Sequence, residues 1–380
     1  MAITFHKEPS GIYPAYNDCY LQFSSDLTEN NKAVISLIGV SESIYTLKDY
    51  TIYPDLTGKY LFNVKAIMKA LFSIYGFNDQ YSEIPTDYVT NGFGESISGG
   101  YRVQVFKVAV HNDSTSEFVN KTYSFFKSAK QIGEPVYTNP YQILNRSTNG
   151  VDFNLTYFEG YPFAFDLQRV PSGSDIRIKN LNTNITADSI EASSTNAYRV
   201  YVDTGTYNWT TTDFLPLTDT INRLEIYNTT DSLIPKTNLN LKKIPSKCGV
   251  YLKWFNLDGG YSYWLFDQFT TNTLSARDYS TIATNEFFNI NEGFVAPTTL
   301  IGKSGKVTMK LNTQVDRNEG INLQSLFTSP SVQMWSSQEP FNDGNWVNVL
   351  VSDKYELLNK KDINKISITI DLPELITPTL

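Results

Sequence analysis

Four carboxylates set among aromatic rings, Asp152, Glu159, Asp166 and Asp175, are the residues of this chain whose types could do chemistry. Glycoside hydrolysis needs two carboxyl groups, and they come from distant parts of a fold with no fixed spacing in the sequence. Phe153, Tyr157, Phe158, Tyr161 and Phe163 run through the same stretch, and sugars stack on such rings. Tyr157, Tyr161 and Trp209 are the side chains a glycan would touch. Aromatics at this density more often build core and interface, so packing is the first expectation here.

Other chemistry is thinly supplied. His6 and His111 are the only imidazoles, and Cys19 and Cys248 the only thiols, so a histidine-based triad or a thiolate metal cluster has little to work with. His111 is followed by Asn112 and Asp113 at the end of a strand-like run, which reads as a turn. Gly94-Glu95-Ser96-Ile97-Ser98 resembles a nucleophile elbow but carries serine where the last glycine belongs. Asp316 to Gly320 resembles the start of a calcium loop, yet its glycine comes one place early and the twelfth position is Phe327. A turn between strand and helix is expected there. No catalytic residue, metal site or cofactor is expected, and the chain reads as a non-enzyme.

With 380 residues the chain is long enough for two or three domains. Its 31 basic and 39 acidic residues give a net charge of -8 with no basic run, so specific nucleic-acid binding is not expected. Two cysteines without a framework suit a reducing compartment. No apolar h-region opens the chain and nowhere is there an apolar run of about 18 residues, so a soluble protein without membrane insertion is expected.

The elements that must position these residues are strands. Tyr, Phe, Thr and Asn are abundant, and strand-like runs separated by turn residues recur from Ala33–Ile38 to Ile366–Leu372. The cleanest alternation is Val307, Met309, Leu311, Thr313, Val315, which predicts a strand with one wet face. The fold expected is mainly β, as two or three antiparallel β-sandwich or barrel-like domains over 1–140, 141–240 and 241–380. The middle one is the place for an insertion or a sugar-binding role. One amphipathic helix is predicted over 64–75, capped by Asn63 and stopped at Gly76, with Val64, Ile67, Met68, Leu71 and Tyr75 on its apolar stripe. A second short helix is predicted from Asn322 to Phe327.

Cys248 to Phe269 forms an aromatic hairpin around Asp258-Gly259-Gly260. Both of its faces are apolar, which predicts that both are covered, by the chain's own core or by another subunit. Trp254, Tyr261, Tyr263, Trp264 and Phe266, with Trp335 and Trp346 further on, are the expected core or interface anchors.

Three segments together resemble β-rich tail structural proteins of tailed bacteriophages infecting Bacteroides-like hosts, of the tail-hub, baseplate or distal-tail type. They are Cys248 to Phe266, the run Leu323 to Val332 with the strand Trp346 to Val351, and Gly58 to Tyr75 with Phe93-Gly94-Glu95 and the strand Tyr101 to Val110. The resemblance implies a virion component, made in the host cytoplasm, that forms a homo-oligomeric ring and docks other phage tail proteins. It carries over no catalytic residue. The alternatives are a carbohydrate-binding receptor protein of the tail and a polysaccharide depolymerase.

Overall fold

The structure, a computed structural model, describes residues 3–27, 31–38, 46–73, 76–79, 94–96, 100–134, 139–145, 152–171, 173–187, 190–192, 197–204, 217–218, 220–229, 233–245, 247–283, 298–336, 345–352 and 362–378. The fold is mainly β, built from several open sheets with two α-helices among the described residues. The chain divides into two compact units. Residues 1–245 and 255–262 form the first, and residues 246–254 and 263–380 the second.

The first unit opens with a sandwich of two sheets. Ile3–Lys7, Tyr20–Ser25 and Lys59–Asn63 make the smaller one, in that order. Ile12–Pro14, Ser116–Phe126, Tyr101–His111, Lys32–Ile38 and Thr46–Ile52 make the larger. Alternate residues of both point into one core, where Leu21, Phe23 and Tyr60 meet Ile35, Phe106, Val108 and Phe125. The period-2 pattern of a half-wetted strand produces this arrangement.

The predicted helix is Lys65–Phe72, and it adds Ile67, Met68 and Phe72 to that same core. The N-cap position falls on Val64, one residue later than expected, while Asn63 Oδ1 still accepts the Lys65 backbone N–H at 3.0 Å. The helix ends three residues earlier than predicted. Gly76 follows in left-handed backbone at φ +58°, its N–H bonded to Ser73 O at 3.0 Å, and Tyr75 lies outside the described residues.

Two further sheets complete the first unit. Gln142–Ile143, Pro162–Gln168, Ala197–Thr204 and Gly94–Ser96 form one. Asp152–Phe158, Thr237–Ile244, Ile221–Asn228, Ser174–Asn180 and Ile185–Thr186 form the other, with Ile190–Ala192 also on Ser174–Asn180. Not every pair is antiparallel as expected, because Asp152–Phe158 runs parallel to Thr237–Ile244 and Ile12–Pro14 runs parallel to Ser124 through Phe126. Segments 1–140 and 141–240 carry mostly their own sheets, yet Gly94–Ser96 pairs with Ala197–Thr204 and both segments lie in one compact unit. The two compact units divide after Pro245, with residues 255–262 returning to the first.

The second unit is organised by a seven-stranded antiparallel sheet. Its order is Tyr261–Phe266, Val250–Phe255, Val332–Ser336, Asn345–Val351, Ile363–Asp371, Lys303–Asp316 and Thr271–Asp278. On the strand read as half-exposed, Leu311, Thr313 and Val315 are buried while Lys310 and Gln314 face solvent, as its alternation predicts. The turn expected at Asp316 is instead the start of a helix, Arg317–Leu323, continued by a 3-10 turn over Gln324–Thr328. Asp316 Oδ1 accepts the Glu319 N–H and Glu319 Oε2 accepts the Asp316 N–H, both at 2.8 Å, so these carboxylates form a capping box rather than a calcium loop. That box sets the helix start five residues before the predicted Asn322.

Candidate functional site

Arg199 is the most buried charged side chain among the described residues and the centre of the site. Register alone brings it to a carboxylate, since Arg199 sits directly opposite Asp166 across the pairing of Ala197–Thr204 with Pro162–Gln168. Its Nε donates to Asp166 Oδ1 at 2.9 Å and its Nη1 to Asp79 Oδ2 at 2.8 Å, with all three side chains at 2 % exposure or less. Asp79 arrives from the segment after the first helix. A cation between two anions in a medium of low dielectric is held by both pairs, and breaking either leaves an uncompensated buried charge.

The tip of the aromatic hairpin, residues 255–262, belongs to the same unit and closes over this group. The Tyr261 N–H donates to Asp166 Oδ2 at 3.2 Å, its hydroxyl donates to Phe77 O at 3.1 Å, and its ring lies 5.2 Å from the Arg199 guanidinium carbon. Beside it, the Lys127 ammonium sits 4.7 Å from the Phe77 ring centroid and 5.5 Å from that of Phe255, and donates to Gly76 O. Burial pulls the Lys127 amine below its ordinary value, because the charged form loses its hydration there. Two cations, two carboxylates and three aromatic rings are thus gathered from five stretches of chain.

The sequence makes the tip fit. Asn256 Nδ2 donates to Leu144 O at 2.8 Å and to Ser262 Oγ at 2.9 Å, while its Oδ1 accepts the Gly260 N–H at 3.1 Å. Gly259 has φ +92°, and a Cβ there would stand 2.5 Å from Lys127 O and 2.6 Å from the Phe126 ring. No other residue type supplies both that backbone and that clearance.

Chemically, the arrangement binds its charged groups to one another and to the hairpin tip. Asp166, one of the four carboxylates singled out, is consumed by Arg199 and the Tyr261 amide. The other three do not join it. Glu159 pairs with Lys243 at 2.9 Å, Asp152 accepts from Asn238 Nδ2 at 3.3 Å on an exposed edge, and Asp175 is opposite Glu191 in the other sheet. Tyr157 is 5 % exposed and packs on Phe163 at 5.5 Å, so it is core and not a sugar platform. Tyr161 is half-buried, and Trp209 lies outside the described residues.

The stem of the hairpin lies in the second unit. Trp254, Tyr263, Trp264 and Phe266 are buried there by the chain's own residues, Trp335 and Trp346 are half-buried, and so is Tyr261 at the tip in the first unit. Trp254 Nε1 donates to Ser325 Oγ at 2.8 Å and Trp264 Nε1 to Thr313 Oγ1 at 3.0 Å. On the opposite face Trp346 reaches Tyr251, Tyr263 and Trp335 at ring separations of 6.0, 6.2 and 5.1 Å, with the Lys253 ammonium 4.2 Å from its ring centroid. Both faces of the hairpin are therefore covered within one chain.

The remaining sequence candidates resolve simply. His111 ends its strand and Asn112 Oδ1 accepts the Ser114 and Thr115 N–H groups, which is the turn expected. His6 Nε2 bonds Ser24 Oγ at 2.8 Å. Gly94–Ser96 is a strand, and residues 97–98 lie outside the described residues. No cluster of His, Cys, Asp and Glu suited to a metal occurs among the described residues. Arg199, Asp79 and Lys127 were not singled out from sequence. The signal for Arg199 was a lone charge inside the apolar run Ala197-Tyr198-Arg199-Val200-Tyr201, where a strand buried on both faces must supply a partner.

No family model and no curated protein matches this chain. Among solved structures, the native conformation of E. coli alpha-2-macroglobulin is similar to it at 10% identity and a TM-score of 0.21, over 92% of this chain and 26% of that one. The chain spans about a quarter of that protein's length, and a likeness at this level carries no argument about fold or function.

Proposed function

We propose that this chain is a non-enzymatic structural protein of a phage tail, acting by self-association and by docking neighbouring tail proteins. One observation carries the assembly reading. The strand Thr271–Asp278 is exposed at all eight of its residues, on both faces, at the end of the seven-stranded sheet. A strand held on one edge alone, with neither face packed, gains little from its own fold and is stabilised by a partner. The charged groups at the hairpin tip, spent on one another, support a non-catalytic role. A net charge of -8 suits a surface that nucleic acid passes without adhering.

The test is location and mass. Labelled antibody against the purified protein should mark the tail of virions in electron micrographs, and light scattering should give a mass above that of one chain. A protein that is monomeric at every concentration and absent from virions overturns the reading.

A further inference from the structure

We propose that two copies of this chain join edge to edge through Thr271–Asp278, antiparallel about a two-fold axis at Ser275, so that their seven-stranded sheets become one. This rests on the assembly reading and names its contact. The strand pairs with residues 303–310 along its whole length, and no described strand meets its other edge.

The side-chain bonds across that ladder reveal which backbone groups remain. Ser275 Oγ donates to Lys306 O at 3.2 Å and Ser304 Oγ to Arg277 O at 3.5 Å, which requires both carbonyls to point into the ladder. The Tyr279 N–H to Gly302 O bond, at 2.9 Å, continues the same alternation. Odd-numbered residues therefore spend their N–H and C=O groups on the neighbouring strand, and Asn272, Leu274, Ala276 and Asp278 turn theirs outward.

Those four match one another when a second copy is laid antiparallel. With the axis at Ser275, Asn272 meets Asp278 and Leu274 meets Ala276 as hydrogen-bonded pairs, so every outward group in the strand finds a partner. Shifting the register by two residues either way leaves an outward residue without a strand partner. On the other face Thr273 meets Arg277 and Ser275 meets its own copy, and no like charges stand opposite. Leu274, 65% exposed, gains an apolar neighbour.

The edge is also unguarded. It contains no proline or lysine, and its charges, Arg277 and Asp278, sit at one end. The contact is two-fold, so a closed ring of the kind the resemblance implies would use a second contact as well.

The experiment uses the full chain with exposed Cys248 replaced by serine. In the two-fold register Ser275 opposes itself in a non-hydrogen-bonded pair, with Cα atoms about 4.5 Å apart, inside the range of about 4.4–6.8 Å that a disulfide spans. The two copies of Thr273 stand about 14 Å apart. Ser275→Cys should therefore cross-link into dimers under dissolved oxygen and a copper catalyst, several-fold more than Thr273→Cys, and revert with reductant. Leu274→Pro removes an outward N–H and leaves the ladder to 303–310 intact, so it should keep the wild-type melting temperature while weakening dimerisation at least tenfold in sedimentation.

Equal cross-linking of the two cysteine variants, or an unchanged mass for Leu274→Pro beside a self-associating wild type, overturns this contact and leaves the assembly reading standing. So does a wild type found in virions yet monomeric when pure, since the edge would then take another protein's strand. A wild type that is monomeric and absent from virions defeats the assembly reading itself.

Discussion

Arg199 shows how a single side chain can look chemical and act structurally. Its guanidinium is shared between Asp166 and Asp79 with no solvent to screen either pair. Arg199→Ala should destabilise the first unit by about 3–5 kcal/mol in denaturant unfolding. Lys243→Ala, which breaks the half-exposed pair with Glu159, should cost about 0–1 kcal/mol. Equal losses in the two variants would mean that the buried group is not what holds the hairpin tip. Cys19 carries a second expectation at this scale. Burial pushes its thiol up to about 12 from an ordinary value of 9.0, and the same cause raises Tyr16 to about 12. Between pH 9.0 and about 12 the unfolded chain has released a proton that the folded Cys19 keeps, so stability falls as pH rises through that window and is fully present below it. Cys19→Ala should flatten this alkaline decline in the unfolding midpoint, read as a slope and not as an absolute value. An unchanged slope would show that Cys19 does not titrate as its burial requires.

At the scale of elements, the hairpin of residues 250–266 is held at its two ends by different means. Its tip depends on Gly259, where φ is +92° and backbone lies within 2.5 Å of where a Cβ would be. Gly259→Ala should cost at least about 2 kcal/mol, from left-handed backbone strain together with overpacking against Lys127 and Phe126. A variant that melts with the wild type would show that the tip moves aside freely. The stem depends on indole N–H bonds to Ser325 and Thr313 and on the aromatic group around Trp346. The helix Arg317–Leu323 carries its start signal in its own sequence. Asp316 and Glu319 stand in capping-box spacing in the sequence, and that box starts the helix at Arg317, ahead of the expected Asn322. The first helix was more legible, because its apolar stripe is regular, Asn63 Oδ1 accepts the N–H of its first residue, and no competing motif overlaps them.

For the whole molecule, the β class, the wet face of the Lys303–Asp316 strand and the double coverage of the aromatic hairpin follow from alternation in the sequence. Side-chain period is a local property of an extended chain, so it is written where the strand is written. Which strands meet is another matter. Arg199 and Asp166 are 33 residues apart, Arg199 and Asp79 are 120 apart, and nothing in either neighbourhood marks the other as its partner. Two pairings are parallel where turn spacing had suggested antiparallel neighbours throughout, and a short strand at Gly94–Ser96 joins a sheet otherwise made from residues 142–204. The sequence by itself determined that this chain would be built from strands, and that its hairpin would be buried on both sides. Tertiary structure alone decided that Asp166 meets Arg199, that the hairpin is covered by its own chain, and that no described strand covers the outer edge of Thr271–Asp278. The physical reason is that periodicity fixes which way a side chain faces, whereas the register of distant strands fixes what it meets there.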